Sequence, residues 1–287
     1  MDCIKESQQK KKAINDQTLY HHLALCGSVP RKEHNPAVPI TADEQIESAH
    51  EAFEAGATIA HIHARNPDQS SSSNPQFFKD VQDGLNKHCP GMIVQFSTGG
   101  RGREMNERGS MLHHKPEMAS LSTGSVNFPT IVYQNPPELI DYLAREMQTH
   151  NIKPEIEIFD FHMLYNAQKL VEMGLVKPNA HVQFVFGIKN ALPAKRKLLE
   201  FYIDELKEIL PQATWTAAGI GKTQIEVNKW CLELGGHCRT GLEDNIRLDA
   251  KTLAPSNAAL VKRVADMCEQ HGRHPASAKE ARGILGI

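Results

Sequence analysis

ADEQIESAHEAFEAGATIAHIHAR, residues 42–65, changes its hydrophobic period partway along. Up to Gly56 it reads as an amphipathic helix, with Thr41 as N-cap and Gly56 as its stop. From Thr58 to Arg65 it reads as a strand, whose side chains alternate between two faces. Working outward, the same alternation recurs along the chain. Strands are expected at 19–27, 58–65, 92–100, 118–128, 154–161, 181–187, 215–221 and 236–244. Helices are expected at 42–56, 77–89, 137–150, 162–174, 194–210, 222–235 and 256–272, with a charged segment at 103–116. Roughly eight strand–helix repeats of about thirty residues imply a parallel sheet covered by helices, and that count favours closure into a TIM (β/α)8 barrel over an open doubly wound sheet. No GxGxxG opens a helix after the first strand and no GxxxxGK[ST] occurs, so nucleotide cradles of those types are absent; GGRGRE (99–104) runs into a charged loop.

The 287 residues suit one barrel domain over 18–287, preceded by a polar tail at 1–17 that we read as mobile. Thirty-two basic against 34 acidic residues give no excess that would attract nucleic acid. No window reaches the roughly 18 apolar residues a membrane helix needs, and the first residues lack the apolar core of a secretory signal, so a cytoplasmic protein is expected. Six cysteines, at 3, 26, 89, 231, 238 and 268, lack CxxC spacing and read as free, mostly buried thiols.

In such a barrel the reacting groups sit where strands end. Polar residues gather there: His61 and His63, Ser97 and Thr98, Ser125 and Asn127, Glu155 and Glu157, then Arg239, Glu243 and Asp244. His61 and His63 share a strand face, and Glu243 is the natural third donor because the second and eighth strands both flank the first. Two imidazoles and one carboxylate are the donor set of a catalytic metal with an open position. Such a metal suits a substrate with a ketone beside a carboxylate, whose enolate it would stabilise. Asp244 is the candidate base and Arg239 the group that orients it.

HIHAR (61–65), QFSTGG (95–100), ASLSTGSVNF (119–128), KPEIEIFD (153–160), GIGKTQ (219–224), RTGLEDNI (239–246), SNAALVKRV (256–264) and EARGILGI (280–287) together resemble the beta-keto acid cleavage enzyme family. The resemblance begins near residue 23 and runs to the C-terminus, and KEHNPAVPIT (32–41) is similar to the family's segment after the first strand. It implies a zinc-dependent barrel that condenses a 3-keto acid with acetyl-CoA and cleaves the adduct to acetoacetate and a new CoA thioester. It further implies His61, His63 and Glu243 as zinc ligands and Asp244 as general base, with Arg239 and Ser97 as its partners and Glu157 as a further acid. It also implies a homo-oligomer, dimer or tetramer.

The chain departs from the resemblance at one point. Family members acting on an amino-bearing keto acid carry a glutamate two residues after the glycine that closes the first strand; here that position is Val29. Burying an ammonium against an apolar group is costly, so a keto acid with a neutral, apolar tail is expected, unless Arg31 or Lys32 meets an acidic one. Val29, Thr98, Ser125 and Asn127 are the expected substrate contacts. Arg101, Arg103 and Arg108, in the loop after the third strand, are the expected contacts of the CoA phosphates. A metal-dependent hydrolase of the amidohydrolase type is the alternative enzyme. It would place His-x-His on the first strand and more histidines at later strand ends, where this chain has FDF and VFG, with His162 close behind. A silent scaffold barrel would have lost the metal-ligand set.

Overall fold

The computed structural model of the protein describes residues 18–100 and 103–287. The expected N-terminal tail, Cys3 and Arg101 lie outside the described residues. Eight parallel strands close into a barrel. They are β1 (His21–Ala24), β2 (Ile59–Ile62), β3 (Ile93–Phe96), β4 (Met118–Ser122), β5 (Lys153–Ile158), β6 (His181–Phe186), β7 (Thr214–Gly219) and β8 (His237–Thr240). Each pairs with the next in the sequence, and β8 pairs back onto β1 through Cys238–His21, Arg239–His22 and Thr240–Leu23. The closed alternative of the sequence reading is the observed one.

The helices are α1 (Ala42–Glu54), α2 (Pro75–His88), α3 (Pro137–Thr149), α4 (His162–Glu172), α5 (Arg196–Ile209), α6 (Gln224–Leu234), α7 (Asn257–Cys268) and α8 (Ala278–Leu285). α1 opens as expected: the Thr41 side chain accepts from the Glu44 amide, and Glu44 reaches back to the Thr41 amide, a capping box. The connection from β3 to β4 carries only a one-turn helix (Met105–Arg108) and a 3-10 turn (Leu112–His114), so the strand–helix repeat is incomplete there.

Two expectations are corrected. Residues 118–128 are not one strand: β4 ends at Ser122, and Val126–Asn127 instead pairs antiparallel with Val132–Tyr133 in a separate ribbon. The break falls where the Thr123 hydroxyl donates to the Met163 carbonyl, pulling the chain off the sheet. The chain also does not close with the helix expected at 256–272. That segment is α7 followed by a 3-10 turn, then His274–Pro275 pairs with Thr18–Leu19, and α8 follows. Ser277 and Glu280 form the capping box of α8. α8 covers the N-terminal end of the barrel: Ala281 and Leu285 pack on Tyr20, Ile59, Ile93 and Met118, while Arg282 makes a bidentate pair with Glu117. With that end plugged, the C-terminal mouth carries the open cavity.

Candidate metal centre and active site

The barrel interior is unusually polar. Its aliphatic side chains pack against the helices, while His22, Gln95, Glu155, Gln183 and Arg239 are buried within. Buried polar groups are mostly hydrogen-bonded, and here they join in a column. Glu155 lies 3.1 Å from His22 Nδ1 and 3.2 Å from His181 Nε2. Gln183 Nε2 donates to Glu155 Oε1 at 2.7 Å, and Gln183 Oε1 accepts from Arg239 Nη1 at 3.1 Å. The fixed amide thereby presents its oxygen, the correct end, to the guanidinium.

Arg239 crosses the floor of the mouth. Its Nε and Nη2 donate to the two Asp244 oxygens, both at 2.8 Å, and Nη2 also donates to Glu243 Oε1 at 2.8 Å. Burial raises the Asp244 carboxyl above its ordinary value, with Arg239 only partly opposing it. Burial acts the same way on Glu243, but there Arg239 and the two imidazoles prevail and hold the carboxyl well below the usual range. Two adjacent acids are thus held differently, one firmly ionised and one better able to take a proton.

His61 Nε2 lies 3.1 Å from His63 Nε2, and Glu243 Oε1 lies 3.3 Å from His63 Nε2 and 3.9 Å from His61 Nε2. A tetrahedral ion with donor bonds of roughly 2.0–2.1 Å would separate its ligands by roughly 3.3 Å. The three donors therefore fit one divalent cation. Two further observations agree. The His61 Nδ1 hydrogen bonds to Gln95 Oε1, so the lone pair is on Nε2, and burial pushes the ring's pKa to about 3, keeping it neutral. Glu243 Oε2 is buried without a hydrogen-bond partner, an acceptor left for such an ion. Among the described residues, these three form the cluster able to hold a metal. Gly27 makes room for it: its φ is +59°, and a Cβ there would stand 2.5 Å from Glu243 Cγ.

The mouth opens into a cavity of about 670 Å³ lined by His61, His63, Ser97, Glu157, Arg239, Glu243 and Asp244, with Val29 at its edge. Glu157 accepts from Ser122 Oγ at 2.8 Å, and burial raises its carboxyl to about 7. Ser97 Oγ accepts from the Gly99 amide at 3.1 Å. The other expected contacts are placed elsewhere. Thr98 Oγ1 donates to the Ser120 carbonyl, Ser125 Oγ accepts from the Asn135 amide, and Asn127 is exposed on the ribbon; none of the three lines the cavity. Arg108 is buried and donates to Thr98 O, Gln134 O, Tyr133 OH and Asn135 Oδ1, while Arg103 holds Ser72 O, Ser73 Oγ and Gly99 O. These two guanidiniums brace the loop and leave little for a phosphate. Gln95, Gln183 and the Tyr133–Phe128–Phe159 wall lie outside the sequence expectation; strand alternation puts Gln95 on the face of Ser97 and could have marked it, whereas which residues meet across the mouth depends on tertiary neighbours. His162, the further histidine weighed for a hydrolase site, stands at the exposed start of α4 and does not line the cavity.

The model of the beta-keto acid cleavage enzyme family matches residues 20–287. The chain is 57% identical over 265 residues to 3-oxoadipate:acetyl-CoA acetyltransferase of Cupriavidus necator, covering 92% of this chain and 93% of that protein. It is 35% identical to 3-keto-5-aminohexanoate cleavage enzyme of Fusobacterium nucleatum, covering 92% and 96%. Among solved structures, that of apo ObcA superposes with a TM-score of 0.78 at 20% identity, over 88% of this chain and 66% of that one, which bears on the fold alone. A match across nearly the whole chain, on a barrel whose mouth gathers the HIHAR histidines and the GLEDNI acids, assigns this chain to the beta-keto acid cleavage enzyme family.

Proposed function

We propose that the protein transfers an acyl group in an acetyl-CoA-dependent cleavage of a 3-keto dicarboxylic acid of the 3-oxoadipate type. The observation that carries this reading is the meeting of His61, His63 and Glu243 beside the Arg239–Asp244 pair. The similarity to the 3-oxoadipate relative supports the dicarboxylic substrate over the neutral-tailed acid expected from Val29. Two imidazoles and one carboxylate suit zinc, which when bound would polarise the substrate ketone and stabilise the adjacent carbanion.

The remaining roles fall to the chain. Asp244, with its carboxyl raised by burial, removes the C2 proton of the keto acid. Arg239, fixed by Gln183 and both acids, keeps that carboxylate aimed and cannot itself be deprotonated. The C2 carbon attacks the acetyl carbonyl of the thioester and CoA thiolate leaves. The thiolate then adds to the original ketone carbon, and the C2–C3 bond breaks. C2 recovers a proton as acetoacetate departs, and the rest of the acid leaves as its CoA thioester. Glu157, protonated below about pH 7, is placed in the same cavity to give a proton to a developing oxygen anion.

The test is a panel of 3-keto acids with acetyl-CoA. One acetoacetate should form per new thioester, 3-oxoadipate should lead the panel, and a chelator should abolish turnover until zinc is restored. Release of free CoA without a new thioester, or full activity after chelation, would contradict the reading.

A further inference from the structure

We infer that Arg247 is a specificity-determining residue, holding the second carboxylate of the keto acid at the edge of the cavity. The inference rests on the proposed dicarboxylic substrate and goes beyond it in saying where the acid tail lies. A second carboxylate cannot settle deep in this cavity. Asp244, Glu243 and Glu157 already crowd the floor, and Arg239, its cation, is engaged by both acids and Gln183. The tail must therefore run outward to a cation whose donors are free. The nearest basic residues in sequence to Val29 do not qualify. Arg31 donates to the Asp68 carbonyl at 3.0 Å, Lys32 pairs with Glu44 at 2.9 Å, and neither lines the cavity.

Arg247 does qualify. It lines the cavity from the loop after β8, and its guanidinium makes no hydrogen bond or ion pair with any described residue, although Asp249 lies near enough to feel its charge. The backbone beneath it is held firmly. The Arg247 amide donates to Asn245 Oδ1 at 3.1 Å, its carbonyl accepts from Asn245 Nδ2 at 2.7 Å, and it bridges to Leu253. That loop is fastened to the Val29 loop: Asn35 Nδ2 donates to the Ile246 carbonyl at 2.9 Å and to the Ala254 carbonyl at 2.8 Å. The seam thus sets a free guanidinium on a fixed base, on the loop joined to that of the exposed Val29 and the half-buried Pro30, all three lining the cavity; the apolar pair can cover the methylenes of a tail while the guanidinium takes its carboxylate. Lys189 and Lys222 also line the cavity, but they stand on the loops after β6 and β7, farther around the rim from Val29.

The test compares 3-oxoadipate with 3-oxohexanoate, which has the same chain length and a methyl group in place of the second carboxylate, in wild type, Arg247→Met and Arg247→Lys. In the Met variant kcat/KM for the diacid should fall about 10- to 100-fold, as expected for losing a charge-assisted hydrogen bond. The monoacid should change by less than about threefold, the KM for acetyl-CoA should hold, and the Lys variant should recover part of the loss. Equal losses on both acids would overturn the inference. So would an increased KM for acetyl-CoA with the preference for the diacid intact, which would assign the guanidinium to the CoA phosphates. A diacid preference that survives unchanged in Arg247→Met overturns this inference alone, whereas a wild type that makes acetoacetate equally well from both acids, or from neither, overturns the dicarboxylic reading beneath it as well.

Discussion

His61 shows how a residue two bonds away from the chemistry decides it. Its Nε2 can serve as a ligand because Gln95 Oε1 accepts a hydrogen bond from Nδ1–H and so keeps the proton on that nitrogen. Gln95→Leu should therefore leave the barrel folded and weaken metal retention about 10- to 100-fold, measured as bound metal per chain after dialysis against graded chelator. Unchanged retention would show that the ring needs no such partner. Glu157 gives a second expectation, with a definite sign. Its folded carboxyl titrates near 7 rather than 4.5 because it is buried, so between those pH values the folded state binds more protons than the unfolded one. Its contribution to stability therefore falls as pH rises from about 4.5 to about 7, by up to about 3 kcal/mol. Denaturant titrations across that range should show this slope in wild type and a flatter one in Glu157→Gln; the same slope in both would exclude Glu157 as its source.

At the level of elements, the sequence was most readable where local rules act alone. The period change at Gly56, the Thr41 cap and the eight strand positions all follow from side-chain alternation and capping, and the HIHAR pair and the GLEDNI acids lie where strand ends were expected. What escaped depends on tertiary neighbours. No local rule says that β4 stops at Ser122 because Thr123 is bonded to Met163, or that Gln183 turns inward to meet Arg239. The loop after β3 is the sharpest example: its arginines read as anion contacts in sequence, yet Arg108 is enclosed by four acceptors. Arg108→Met would leave those acceptors without their donor. It should cost about 2–4 kcal/mol of stability, seen as a lowered denaturant midpoint, with the KM for acetyl-CoA changed less than about threefold. A large rise in that KM at unchanged stability would return Arg108 to the phosphate-binding role expected from sequence.

The whole molecule is a barrel closed at one end and reactive at the other. α8 and the Thr18–Leu19 pairing seal the N-terminal end, and the polar column of His22, Glu155, Gln183 and Arg239 runs up the interior to the mouth. Fixing the mouth from beneath keeps Asp244 and the three candidate metal donors in register, the arrangement that preorganised catalysis requires. The family's chemistry, set on this frame, makes and breaks a carbon–carbon bond within one cavity. The fate of the acetyl carbons tests that most directly. With acetyl-CoA carrying ¹³C in both acetyl carbons and unlabelled 3-oxoadipate, the label should appear wholly in the methyl and ketone carbons of acetoacetate, with none in the new thioester. Unlabelled acetoacetate, or label in the thioester's acyl chain, would contradict the account.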